Sequence, residues 1–342
     1  MQDTGTDGAA WALELRGHAG GLAGLVLAWT LRGAPHAYRA TDLAQVAVAT
    51  APLSEADAAK RVFDGSRPLT AAGIPVLEAL AEVAAHEREA VARPIVKGEV
   101  SARLAEELPE PFLRWCRPCR ATHLYEQVFR LPALQAGLVL EPGTSPPVMR
   151  RQPRFRPPMF ARLGGEADPR FDVIRGHLRA YPGARVRDAA TFLDAPMKEV
   201  RAHWPDDAVE VALSDEPAAR AEPRFVLAED LDLVAAPPRP DAPAVRLLGP
   251  YDPYLQCRDR EVLVADSDRR AALWPVIGRP GAVVVDGAVV GSWRPTTKGS
   301  RLTLRTEMWE RVTRRVQEGV EAQAERLAAH RGLTLKDVVP AG

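Results

Sequence analysis

The alternation of apolar and polar positions divides the chain into a helical front, a helix-turn-helix middle and a strand-rich end. Apolar residues at helical spacing in 9–16 (AAWALELR) and 21–32 (GLAGLVLAWTLR) predict two helices, followed by a short strand over 34–39. Thr41 and Ser54 stand as N-caps before helices over 42–49 and 55–63, and a longer amphipathic helix covers 74–91. A further helix is expected over 95–109, and 123–143 reads as a helix passing into a β-hairpin. Helix, turn, helix and β wing is the order of a winged helix.

That order recurs. A helix over 168–181 leads through Pro182 and Gly183 to 185–194, then to 196–205 with Pro196 in its first turn, and to a strand over 207–213. The Pro-rich 235–245 reads as a boundary. Beyond it, Asp286-Gly287 between the apolar halves of 282–294 signals a hairpin, a strand follows over 300–306, and a long helix closes the chain over 308–331. The expectation is an α+β fold of tandem winged-helix units with a β-rich C-terminal part and a long C-terminal helix. Its spans are 1–145, 146–235 and 236–342.

Composition narrows the choice of partners. The 342 residues, 46% hydrophobic and 26% charged, suffice for two or three domains. Lys and Arg number 45 and Asp and Glu 45, so any basic surface must be local. Three cysteines, an odd number, fit a reducing compartment rather than a disulfide framework. With no signal-peptide pattern and no apolar run of ~18 residues, the expectation is a soluble cytoplasmic protein without a membrane partner.

Two basic stretches stand out. The first, 149–162, carries Arg150, Arg151, Arg154, Arg156 and Arg162 with no acidic residue. The second, Arg185, Arg187, Lys198 and Arg201, falls on the second helix-turn-helix. Both suit a phosphate backbone, and both would look alike as plain solvated charge. Cys116, Cys119 and His123 resemble half of a zinc site, but the remaining cysteine, Cys257, is far away in sequence. Lacking a fourth ligand, they lead to an expectation of no metal, and no other cofactor is implied.

Four features in order, 32-RGAPHAY-38, the mid-chain winged unit, 250-PYDPYLQCRDR-260 and 283-VVVDGAVVGSWR-294, resemble the AlkZ-like family of bacterial winged-helix DNA-binding proteins. The resemblance extends over most of the chain. It implies tandem winged helices wrapped around duplex DNA, and a monomer that acts on damaged double-stranded DNA in the nucleoid. Characterised relatives remove bulky alkylated bases or unhook interstrand crosslinks. It also implies a Gln-x-Gln or Gln-x-Asp pair near the N-terminus that positions the attacking water. Here Gln2 and Gln45 are isolated, and no such pair occurs there.

A histidine is one group that can handle the water instead, since its unperturbed pKa near neutrality suits the task. His36, inside the motif, is the first candidate, and His18 of 16-RGH-18 the second. Each has a plain alternative: His36 as a mid-strand residue satisfying a backbone carbonyl, His18 as a helix-end residue. By the same resemblance Arg32 would reach a phosphate. The turn Tyr251, Asp252, Tyr254 is architectural, with Arg258 or Arg260 facing DNA. A monofunctional DNA glycosylase and a non-catalytic damage sensor or regulator therefore both stay open.

Overall fold

The computed structural model describes residues 1–4, 7–156, 160, 167–212, 222–236 and 244–340. The chain forms two compact units, one of residues 22–231 and one of residues 1–21 with 232–342. Arg162 and the centre of the Pro-rich stretch 235–245 lie outside the described residues.

The 22–231 unit opens with an antiparallel hairpin, Leu25–Trp29 against Pro35–Arg39, where 21–32 was expected to be helical. Gly20, Gly21 and Gly24 hold φ of 108°, 60° and 74°, which stops a helix from starting. Val26 to Trp29 are buried in succession, as suits a strand covered on both faces. The hairpin joins Leu138–Leu140, Val148–Arg151 and Ile95–Val96 in one five-stranded sheet.

Helices Val76–Ala90 and Lys97–Glu107 precede a second hairpin, Leu113–Cys116 against Ala121–Leu124. This is the first wing, and it lies ahead of the 123–143 segment in which it was expected. Pro118 and a left-handed Arg120 (φ 51°) set its turn. Within 123–143 a short helix, Glu126–Arg130, gives way to Leu138–Leu140 of the sheet.

The second winged unit matches its sequence pattern more closely. Val173–Ala180, Val186–Leu193 and Met197–Ala202 lead to the strand pair Ala208–Val211 and Arg224–Leu227. Asp194, left-handed at φ 55°, ends the middle helix. Ile174, Ala189, Ala190, Leu193, Ala195 and Val200 form the core. The small alanines allow the helices to approach closely. Lys60 Nζ donates to the carbonyl of Ala195 at 2.7 Å, which ties this unit to the first half.

In the other unit a five-stranded sheet runs Val245–Leu248, Gly281–Val285, Ala288–Lys298, Arg301–Met308, Thr334–Pro340. The final pair is parallel, joined by the helix Arg314–His330, so the strand expected over 300–306 extends to 308 and the helix starts later. Gly281 is needed for packing: a Cβ there would stand 2.3 Å from the Trp293 ring. Residues 1–21 belong here through long-range hydrogen bonds. Trp11 Nε1 donates to Leu247 O at 2.7 Å, and Arg331 Nε reaches Asp7 at 2.6 Å. Among the described residues no single helix is long and apolar enough to cross a membrane.

Candidate functional site

The register of the first hairpin decides which polar groups meet. His36 faces Ala28 and Tyr38 faces Val26, so period-two alternation sets His36, Tyr38 and, one step beyond Ala28, Thr30 on one face. His36 Nδ1 lies 2.9 Å from the carbonyl oxygen of Ala34 and 3.1 Å from Thr30 Oγ1. Thr30 Oγ1 in turn lies 2.8 Å from the Tyr38 hydroxyl. A carbonyl can only accept, so Nδ1 carries the proton and the neutral ring leaves Nε2 as a bare acceptor.

Burial governs the charge of this group. His36 is 8% exposed and Thr30 5%. Desolvation lowers the His36 pKa to about 3, with the Arg32 charge adding to the effect, and the same burial raises Tyr38 to about 12. Both side chains are neutral throughout the physiological range. The trio can orient a hydrogen-bonding molecule, but it is a weak proton acceptor.

Its support is a strained turn. Arg32 (φ 59°) and Gly33 (φ 61°) both hold the left-handed conformation. Gln127 Nε2 donates to Arg32 O at 3.2 Å and Arg130 Nη1 to Gly33 O at 3.1 Å. A Cβ on Gly33 would meet Gln127 Oε1 at 2.1 Å. Arg32 donates to Phe192 O at 2.9 Å and stacks on the Phe192 ring at 4.4 Å. In this structure its guanidinium braces the second winged unit, where the family resemblance had offered it to a phosphate. His18 is exposed after the first helix and belongs to the other compact unit.

The basic residues divide by what already holds them. Arg151 donates to Val91 O at 2.8 Å and to Arg88 O, which satisfies carbonyls at the end of Val76–Ala90. Arg150 reaches Gln152 at 3.4 Å. Arg185 pairs with Asp188 at 2.8 Å and Arg187 with Glu222 at 2.8 Å. Arg154, Arg156, Lys198 and Arg201 are exposed and form no ion pair with a described residue. In the 247–270 segment Arg16 grips the buried Asp252 at 2.8 and 2.9 Å, and Arg260 lies over Trp274 at 5.0 Å. Arg258 is half-buried in the same segment.

Cys116, Cys119 and His123 come together at the tip of the first wing, their ligand atoms all within 4.8 Å of one another. The Cys116 thiol is pulled down to about 7, chiefly by the backbone hydrogen bond from Cys119 and then by His123, while Cys119 is raised by its bond with Cys116.

Sequence reasoning singled out His36 but missed Thr30 and Tyr38. The available signal was the i, i+2 spacing of His36 and Tyr38 on one strand.

The family described as DNA glycosylase AlkZ-like matches residues 22–330. Among solved structures the chain is similar to DNA glycosylase AlkZ of Streptomyces sahachiroi, at 22% identity and a TM-score of 0.64. That likeness covers 93% of this chain and 82% of that one. No curated protein matches significantly.

Proposed function

Because the chain belongs to the AlkZ-like DNA glycosylase family, we propose that it hydrolyses the N-glycosidic bond of bulky alkylated or crosslinked bases in duplex DNA, with His36 orienting the water. In this reaction the bond from C1′ to the base nitrogen breaks, and the water oxygen bonds to C1′. One of the water's protons stays on the new C1′ hydroxyl and the other passes to solvent, while the cationic base leaves neutral and an abasic site remains.

The observation that carries the reading is the tautomer of His36. With Nδ1–H held by Ala34 O, Nε2 can accept from water, and Thr30 and Tyr38 keep the ring from turning. A positively charged alkylated base departs readily, so charge at C1′ develops before the water attacks. Orientation then matters more than basicity, and a neutral acceptor suffices. His36 and Tyr38 stand two apart on one strand face, the spacing of the glutamine pair that the family resemblance implies and the N-terminal region lacks. Arg154, Arg156, Lys198 and Arg201 would supply the phosphate grip, and the protein would act as a monomer in the cytoplasm.

A second reading is a non-catalytic damage-binding protein. Burial of His36 favours it, because a ring at 8% exposure also suits a purely structural role. One experiment separates the two. The protein is incubated with a panel of duplexes bearing bulky alkylated bases and crosslinks, and abasic sites are detected as alkali-labile breaks. Excision from at least one duplex is expected. Binding to the panel without any excision would replace the enzyme reading with the second.

A further inference from the structure

We propose that the tip of the first wing is a zinc site, with Cys116, Cys119 and His123 as three protein ligands and a water or other exogenous ligand in the fourth position. Along the chain these residues supply only three ligands, which led to the expectation of no metal; the folded hairpin adds their convergence. The inference goes beyond the base-excision reading and does not depend on it.

Three observations carry it. First, the ligand atoms gather within 4.8 Å of one another, and two sulfurs on one tetrahedral zinc stand ~3.8 Å apart. Small inward movements would complete the geometry. Second, the hairpin register builds this arrangement. Arg114 faces His123 and Cys116 faces Ala121, so Cys116 and His123 lie diagonally on one face, while the turn over 117–120 brings Cys119 back towards them. Trp115, paired with Thr122, points to the opposite face and is 65% exposed.

Third, His123 is oriented as a ligand. Its Nδ1 lies 2.8 Å from the carbonyl of Leu124, which can only accept. The ring is therefore fixed in the Nδ1–H tautomer with Nε2 bare, the form in which imidazoles bind metal while the other nitrogen holds a carbonyl. Two thiolates balance the charge of one Zn²⁺, and sulfur with imidazole nitrogen suits that borderline-soft ion better than Mg²⁺ or Ca²⁺. Such a metal would staple the wing tip, whose turn has Pro118 and the left-handed Arg120 but little packing.

The test uses the full chain, reduced and freed of metal. Cobalt(II) added under anaerobic conditions should give one equivalent of visible d–d absorption with a near-ultraviolet thiolate band, and zinc should bleach it. Cys116→Ser, Cys119→Ser and His123→Ala should each abolish or strongly alter the spectrum, whereas Cys257→Ser should leave it intact. Bound zinc should also slow tryptic cleavage after Arg120 by about tenfold or more, because the tip must open locally to be cut. Absence of a thiolate–cobalt band in the folded, reduced protein would overturn the proposal. So would isolation of a Cys116–Cys119 disulfide whose reduced form takes up no cobalt.

Discussion

At the scale of single residues, two buried titratable groups make opposite demands on pH. Glu87 is fully buried in Val76–Ala90, and neither carboxyl oxygen has a hydrogen-bond partner among the described residues. Burial raises its pKa well above the ordinary 4.5. Its folded form holds the proton more tightly than the unfolded form, so stability is lost as pH rises from 4.5 through the folded value. Glu87→Met should therefore raise the melting temperature at about pH 7.5, and the gain should shrink as pH falls towards ~4.5. A melting temperature that falls or stays unchanged at that pH would show that the carboxyl is paired in solution.

His36 runs the other way. Its folded value, about 3, lies below the ordinary 6.5, so this group lowers stability progressively as pH falls from 6.5 towards 3. The same shift predicts a flat excision rate across 6.5, where an ordinary histidine would produce a step. A rate that titrates there would mean the ring is solvated in the working complex. His36 was legible in the sequence because it sits inside 32-RGAPHAY-38. Thr30 was not, because its approach to the ring depends on a hairpin that the helical spacing of 21–32 concealed.

At the scale of elements, the basic stretches divide into structural and free charge. Changing Arg154, Arg156, Lys198 and Arg201 together to alanine should weaken duplex binding and flatten its salt dependence, by a log–log slope of ~0.9 for each phosphate no longer neutralised. Arg151→Ala should instead lower unfolding free energy by about 1 kcal/mol, through removal of its hydrogen bonds to Arg88 and Val91, and leave the salt slope unchanged. Chemical denaturation and binding titrations over a range of salt concentrations check both. Sequence composition could not make this division. It shows that arginines cluster, whereas the helix end that captures Arg151 is about 60 residues earlier in the chain.

Element types were legible where a local signal was strong. The second helix-turn-helix has its Pro196, its polar stop at Asp194 and its apolar spacing in the right places. Glycines at positive φ broke the 21–32 pattern, and the wing at 113–124 escaped notice because its strands are only four residues long. Cys116, Cys119 and His123 were legible as part of a motif, but their convergence was not, because it depends on the register of those short strands.

At the scale of the whole molecule, the least legible feature is the placement of residues 1–21 with the C-terminal part. It depends on Trp11 beneath Leu247, on Asp7 with Arg331, and on Arg16 with Asp252, all pairs more than 200 residues apart. Asp252 is fully buried while Arg16 is partly exposed, so Asp252→Ala should cost about 2 kcal/mol, discounted from the value for a wholly buried pair. A urea titration showing no drop in stability would make that ion pair dispensable.

Base excision with water held by His36 is checked by single-turnover excision of one bulky alkylated base from duplex DNA at saturating protein. The comparison is wild type, His36→Gln and His36→Ala, each at confirmed duplex affinity and with its fold checked by circular dichroism. A loss of about 100-fold is expected for alanine, in the range of a positioned catalytic group, and a smaller loss for glutamine, whose amide oxygen keeps an acceptor. Duplex affinity should stay within a few-fold of wild type. A folded His36→Ala protein that excises as fast as wild type would rule out the water-holding role and leave His36 as a structural residue of the hairpin.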